Sequence, residues 1–358
     1  MNWPTMLNQL LLYCRSGFEN ECAAEAMAKA EAVGLAGFVK AKPRQGWVLL
    51  NLYQPDGALL LQQQPFKQWI FARQWVACLP LLNQLPVTDR VTPIVEAVKQ
   101  LPQCGIVQIE MPDTNDGKSL QSLTRKITSP LIQALKKASC LTAKDNLKMP
   151  TLHVFFISGT SVLVGISPAN NHSPWRMGIP RLKLPKQAPS RATLKLEEAW
   201  HTFIPKAKWD QQLAADMTAV DLGAAPGGWT WQLVRRGMRV YAIDNGPMAE
   251  DIMATGLVEH VRADGFTYQP KQVVDWLVCD IVDKPARVTA MIAQWLINGW
   301  CKATVFNLKL PMKQRWQAVV NAKTVLTEAL HQANLKRHQI QIRQLYHDRE
   351  EVTVYIGP

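Results

Sequence analysis

The stretch that most constrains the fold of this chain is residues 220–230, Val-Asp-Leu-Gly-Ala-Ala-Pro-Gly-Gly-Trp-Thr. It begins as an apolar run with β-strand character, and Gly223 then allows a turn that a Cβ would obstruct. Residues 229–236 have helical composition, so the free N–H groups of a helix N-terminus lie beside whatever the turn binds. This order predicts an α/β domain with a ligand-binding loop, in which Gly227 and Gly228 let a ligand lie against the main chain.

The spacing of the glycines distinguishes between cofactor classes. A dinucleotide site favours G-x-G-x-x-G at this place, and that pattern is absent. The form D-x-G-x-x-P-G-G, which begins at Asp221, resembles the first motif of methyltransferases that use S-adenosylmethionine (AdoMet). The resemblance implies that AdoMet is the cofactor and that its loop contacts are Gly223, Ala225, Pro226, Gly227 and Gly228.

Two acidic residues after the next strands are candidates for the nucleoside part of such a cofactor. Asp244 lies 21 positions beyond Gly223, where an acid would accept hydrogen bonds from two ribose hydroxyls. Asp264 lies where related enzymes hold the adenine amino group with an acid. Each also precedes a glycine within two residues, so a role as an ordinary turn residue stays open.

Composition places the chain among globular proteins of about two domains, because it has 358 residues and 47% hydrophobic content. Its net charge of +12 favours a polyanionic partner. The seven cysteines never form a C-x-x-C pair, which indicates reduced thiols in a cytoplasmic protein without a metal site. Neither a secretory signal nor a membrane span is expected.

The two halves of the chain differ in kind. After the glycine loop, strand and helix patterns alternate, and two β-rich runs at 339–346 and 352–356 close the chain as an antiparallel pair. This predicts an α/β fold, a Rossmann-like sheet with a terminal antiparallel hairpin. The first half predicts an α+β region in which residues 118–148 hold seven basic residues and one acid.

The basic run and the Asp-Thr-Asn-Asp-Gly-Lys-Ser-Leu segment before it resemble the RNA-binding THUMP domain, although a solvated helix face is the alternative. The predicted organisation is an RNA-binding, THUMP-containing region at 1–172, a linker at 173–189, and a methyltransferase domain at 190–358.

Four residues around the loop form a recognisable set. The chain lacks both the N/D-P-P-Y/F cluster of base N-methyltransferases and a Pro-Cys nucleophile. Instead, Lys195, Asp280, Lys309 and Glu351 resemble the Lys-Asp-Lys-Glu tetrad of ribose 2′-O-methyltransferases, with Glu350 as an alternative fourth member. A ribose hydroxyl is a poor acid, so a neutral lysine must take its proton. We assign Lys309 as this base, Lys195 and Glu351 as residues that orient the hydroxyl and Lys309, and Asp280 as the residue that fixes Lys309 and the methyl end of the cofactor.

Taken together, these segments resemble the family of bacterial 23S rRNA cytidine 2′-O-methyltransferases of the RlmM type, with Ala225 in place of an expected cysteine. The resemblance implies AdoMet-dependent methylation of a cytidine ribose in 23S rRNA or a large-subunit precursor. It also implies a cytoplasmic monomer. One alternative is a tRNA base methyltransferase with a THUMP domain, and another is an RNA-binding protein with an inactive methyltransferase fold.

Overall fold

A computed structural model describes residues 7–54 and 56–358, so the first six residues of the predicted region 1–172 lie outside the described part. The chain forms two compact units, Met1–Pro180 and Arg181–Pro358. Within the described residues, no helix is both long enough and apolar enough to cross a membrane.

The predicted linker, residues 173–189, spans the division between the units. Its first part packs on the N-terminal unit, where the Gln74 side chain donates a hydrogen bond to the carbonyl of Ser173 and Met177 is buried. The polar and basic composition of this stretch does not indicate such packing, because a side chain distant in sequence provides the anchor. The exact domain boundaries stay a prediction.

The N-terminal unit contains a mixed sheet in the order β2-β3-β1-β4-β7-β6-β5. All neighbouring strands are antiparallel except β5 and β6, which are parallel. Residues on the central strands are almost all buried, and helices pack against the sheet, as predicted for an α+β region. In chain order the elements are β1 (Gln9–Tyr13), α1 (Glu19–Glu31), β2 (Gly37–Lys40), β3 (Trp47–Leu52), α2 (Gly57–Gln63), β4 (Gln74–Cys78), α3 (Val91–Val98), β5 (Ile106–Glu110), α4 (Asn115–Lys118), α5 (Gln121–Lys137), β6 (Thr151–Ser158) and β7 (Ser161–Ser167).

The C-terminal unit is a second sheet, in the order β10-β9-β8-β11-β12-β14-β13. Its elements are α6 (Thr193–Phe203), α7 (Trp209–Gln212), β8 (Thr218–Leu222), α8 (Gly228–Arg235), β9 (Arg239–Ile243), α9 (Glu250–Met253), β10 (Val258–Val261), β11 (Val274–Cys279), α10 (Pro285–Ile297), β12 (Cys301–Lys309), α11 (Arg315–Gln332), β13 (Gln339–Arg343) and β14 (Glu351–Gly357). The strands from β10 to β12 are parallel, and β14 runs antiparallel to both of its neighbours. This confirms the predicted Rossmann-like sheet with a terminal antiparallel hairpin.

The strand directions explain why the candidate residues meet. Strands β8, β9, β11 and β12 are parallel, so their carboxyl ends lie at one edge of the sheet, where open α/β sheets bind ligands. The glycine loop (residues 223–228) follows β8 at that edge, and Asp244 and Asp280 directly follow β9 and β11. Lys309 ends β12, and Glu351 lies at the same edge because β14 begins there in the opposite direction.

Candidate active site

The glycine loop is packed closely against its own domain. Gly227 precedes α8 with φ of +114°, a left-handed conformation that residues with a Cβ rarely adopt. A Cβ at Gly227 would collide with the side chain of Ile252, and one at Gly228 would meet the hydroxyl of Ser190. The Cβ positions of both glycines therefore face neighbouring protein segments, and the contact of their main chain with a ligand stays a prediction.

Asp244 holds the loop from the next strand. Its Oδ2 accepts a hydrogen bond from the backbone N–H of Ala225 at 3.0 Å, and its Oδ1 accepts one from Gly246 at 2.7 Å. These bonds fix the carboxylate while each oxygen keeps acceptor capacity. Asp264 is exposed, and its Oδ1 accepts from the N–H of Phe266, which is the turn role that the sequence left open.

Asp221, at the end of β8, lies behind the loop and is buried. Its Oδ2 accepts a 2.6 Å hydrogen bond from the Thr230 hydroxyl on α8, so it ties the strand to the helix on either side of the turn. Burial raises the pKa of Asp221 to about 7, although the Thr230 bond opposes this. Pro226 lies at the exposed tip of the loop, and its carbonyl accepts from the N–H of Ala249.

Three members of the predicted tetrad form one cluster. Lys195, in the first turn of α6, places its Nζ 3.2 Å from both carboxylate oxygens of Asp280. The same nitrogen lies 3.0 and 2.9 Å from the two oxygens of Glu351. The side chains are only 14 to 18% exposed, so one ammonium joins two largely buried carboxylates.

The electrostatics of this cluster keep Lys195 charged. Burial by itself would lower the pKa of Lys195, but the charges of Asp280 and Glu351 outweigh it and raise the pKa above its ordinary value. Burial raises the pKa of Asp280, and the Lys195 charge offsets only part of that increase. At neutral pH Lys195 is therefore an ammonium that can donate hydrogen bonds and cannot accept a proton.

Lys309 is connected to the cluster by the pairing of its strand with that of Glu351 and not by a side-chain contact. It is exposed at the end of β12, where its Cα lies opposite that of Glu351 on β14. Among the residues described, no hydrogen bond or ion pair involves the Lys309 side chain. The roles expected for Asp280 and Glu351 therefore need correction: both carboxylates hold Lys195 and not Lys309, because the Lys309 side chain extends to solvent.

The choice between the two adjacent glutamates follows from their contacts. Glu350 is exposed and pairs with Arg315 at the start of α11 at 2.5 Å. Glu351 instead pairs with Lys195, at 2.9 Å. These contacts favour Glu351, which directly begins β14, and its membership of the tetrad stays a prediction.

A second layer of polar residues supports Asp280, and sequence reasoning missed it. The Asn307 amide nitrogen donates to Oδ1 of Asp280 at 2.8 Å. The Thr353 hydroxyl lies 2.8 Å from Oδ1 of Asn307 and 3.0 Å from both carboxyl oxygens of Asp348. The period of two in β12 could have indicated Asn307, which shares a face with Lys309, but nothing in the local pattern marks Asp348.

Comparisons with known proteins match the chain in three separate segments. Residues 7–76 match the description "RlmM ferredoxin-like domain", and residues 89–168 match "Ribosomal RNA large subunit methyltransferase M, N-terminal". Residues 188–347 match "FtsJ-like methyltransferase". The first half, which the sequence predicts as one THUMP-containing region, is thus covered by two matches.

Curated relatives cover nearly the whole chain. "Ribosomal RNA large subunit methyltransferase M" of Cellvibrio japonicus is 53% identical over 351 residues, which are 98% of this chain and 99% of that protein. The protein of the same name from Serratia proteamaculans is 52% identical over 353 residues, 98% of this chain and 96% of that one. Among solved structures, TrmN from Thermus thermophilus aligns over 97% of this chain and 98% of its own, with 13% identity and a TM-score of 0.36.

Proposed function

The chain belongs to the ribosomal RNA large subunit methyltransferase M family, and on this basis we propose that it transfers a methyl group from AdoMet to the ribose 2′-hydroxyl of a cytidine in 23S rRNA. The observation that carries the proposal is the cluster of Lys195, Asp280 and Glu351, with Lys309 at the same sheet edge as the glycine loop. The relatives do not favour the alternative of a tRNA base methyltransferase. An inactive RNA-binding protein is disfavoured by the intact loop and cluster.

The residues around the glycine loop fit AdoMet, the cofactor of this methyltransferase family. The Asp244 carboxylate is held by two backbone N–H groups and retains acceptor capacity for two ribose hydroxyls. Helix α8 has no side-chain cap at Gly227, so its first N–H groups can face a ligand. Asp264 offers an exposed carboxylate to an adenine amino group. When bound, AdoMet supplies an electrophilic methyl group.

Lys195 is suited to hold the reacting hydroxyl. Its ammonium has three hydrogens, of which Asp280 and Glu351 each take at least one. The remaining N–H can donate to the 2′-oxygen and stabilise the negative charge that develops there as the proton departs. Because its pKa is raised, Lys195 keeps this donor role throughout the neutral range.

Lys309 is the tetrad lysine that remains to act as base. A general base must reach the hydroxyl, and the exposed Lys309 side chain is held by neither carboxylate, since both contact Lys195. Strand pairing with Glu351 puts the base beside a carboxylate that holds Lys195. We therefore retain Lys309 as the general base and reassign Asp280 and Glu351 as orienters of Lys195.

The partner we propose is 23S rRNA or a large-subunit precursor, methylated in the cytoplasm by a monomer. The net charge of +12 favours a polyanion, and α5 carries cations on the side opposite its buried residues Thr124, Ile127, Leu131 and Leu135. The exposed cations of this helix are Arg125, Lys126, Lys136 and Lys137.

The test compares methyl transfer from labelled AdoMet to unmodified 23S rRNA by wild type, Lys309→Ala and Lys302→Ala. Loss of the base should lower the single-turnover rate by about 100-fold or more, with AdoMet binding retained. Lys302 is the matched control because it lies at the other end of β12, is 68% exposed and forms an ion pair with Asp275, so its removal should change the rate less than about twofold. A Lys309→Ala rate within threefold of wild type, or label in tRNA alone, would contradict the proposal.

A further inference from the structure

Three buried polar residues connect the end of the β13–β14 loop to the tetrad. Asp348 lies in that loop and is fully buried, Thr353 is buried on β14, and Asn307 is buried on β12. Asn307 and Thr353 are cross-strand partners. Their side chains link Asp348 to Asp280, and Asp280 in turn holds Lys195.

The donor and acceptor count fixes the direction of these bonds. The Asn307 amide nitrogen must face Asp280, because its carbonyl oxygen would meet a carboxylate oxygen at 2.8 Å. The amide Oδ1 therefore needs a donor, and the Thr353 hydroxyl is the group that lies 2.8 Å away. This uses the only hydrogen of Thr353, so its contact with Asp348 requires a proton on Asp348. That proton belongs on Oδ1, because Oδ2 accepts from the N–H of Leu345.

The surroundings of Asp348 favour this neutral form. Burial, and after it the charge of Glu351, raise the pKa of Asp348 well above its ordinary value. Glu198 on α6 adds a further negative charge, while Lys195 is the cation that opposes these effects.

We propose that Asp348, Thr353 and Asn307 are positioning residues for methyl transfer, forming a hydrogen-bond relay that holds Asp280 in the orientation that receives Lys195. This inference rests on the proposed function and deepens it. Oδ1 of Asp280 accepts hydrogen bonds from both Asn307 and Lys195, so the relay and the ammonium act on the same carboxylate oxygen. None of the three residues needs to touch the substrate, so their effect should appear in kcat and not in binding.

The test measures kcat and KM with 23S rRNA and AdoMet for substitutions in the relay. Thr353→Val removes the hydroxyl at nearly constant volume and should lower kcat about tenfold, with both KM values within about twofold of wild type. Thr353→Ser restores the hydroxyl and should recover most of that loss. The kcat of Asp348→Asn should likewise be higher than that of Asp348→Leu, because the asparagine amide N–H replaces the acid proton as the donor to Thr353.

Thr304→Val is the matched control. Thr304 lies on β12 in the same sheet and is fully buried, and within the described residues its hydroxyl has no hydrogen-bond partner. The substitution should leave kcat unchanged. If Thr353→Val does not fold, Asn307→Ala serves as the test variant in its place, because it interrupts the relay at the end next to Asp280.

The relay is refuted if the folded Thr353→Val or Asn307→Ala enzyme has a kcat within twofold of wild type. It is also refuted if the serine and asparagine variants are as slow as the valine and leucine variants. A wild-type enzyme that forms no 2′-O-methyl product would instead overturn the proposed function, so the two failures are distinguishable.

Discussion

Replacing Lys195 with methionine removes the ammonium that offsets the repulsion between the carboxylates of Asp280 and Glu351. Oxygens of Asp280 and Glu351 lie 3.2 and 2.9 Å from the same nitrogen, so the two carboxylates are no more than about 6 Å apart. Two unit charges at about 6 Å and an effective dielectric constant of about 20 repel by about 3 kcal/mol. Loss of the shared cation would also leave both groups without their strongest hydrogen-bond donor. We therefore expect Lys195→Met to lower the free energy of unfolding by about 3 kcal/mol at pH 8.

The assay is urea unfolding of wild type and variant at pH 8 and pH 5. In the variant the charge of Glu351 still raises the pKa of Asp280 and the opposing charge of Lys195 is gone, so Asp280 takes up a proton as the pH falls and the loss should shrink to less than half at pH 5. Adding Glu351→Gln to Lys195→Met should restore most of the stability at pH 8 by removing one charge. The control is Lys302→Met, which breaks the exposed pair with Asp275 and should cost less than about 1 kcal/mol. Equal losses at both pH values, or no recovery in the double variant, would refute this electrostatic account.

Three further results are expected. The pKa of Asp221 is raised from 3.8 to about 7, so the folded state binds more protons than the unfolded one between these values. Wild type should therefore lose about 3 kcal/mol relative to Asp221→Asn as the pH rises from about 4 to about 7, measured by denaturant unfolding, and a constant difference would contradict this. Gly227→Ala should destabilise by about 2 to 3 kcal/mol in thermal unfolding, because φ of +114° is strained for a residue with a Cβ and the Ile252 side chain must also shift. Gly256→Ala, at φ of +70° with open space around it, should cost only about 1 to 2 kcal/mol. Asp244→Ala should weaken AdoMet binding at least about tenfold by calorimetry, since it removes an acceptor and the anchor of the loop, and unchanged affinity would exclude this role.

Sequence patterns predict much of the C-terminal sheet because its strands are apolar runs between turn residues. The parallel order brings the glycine loop, Asp280 and Lys309 to one edge, as their positions after strands indicate. Strand β4 and helix α6 were not predicted. Strand β4 is buried on both faces and shows no alternation, and α6 buries seven of its eleven residues, which obscures its periodicity.

The pairing inside the tetrad could not be derived from the sequence. Residue types predict that two lysines and two acids share a site, but only the placement of α6 shows that Lys195 takes both carboxylates. The relay from Asp348 is likewise invisible, because it depends on the cross-strand register of Asn307 with Thr353 and on a loop that is buried. Tertiary contacts of this kind leave no local periodicity.

The central claim is tested most directly by the chemical identity of the methylated nucleoside. Unmodified 23S rRNA would be treated with wild type or Lys309→Ala and AdoMet, digested to nucleosides and analysed by mass spectrometry. The account predicts 2′-O-methylcytidine with wild type and almost none with Lys309→Ala. A methyl group on the base, or equal amounts of 2′-O-methylcytidine from both enzymes, would contradict it.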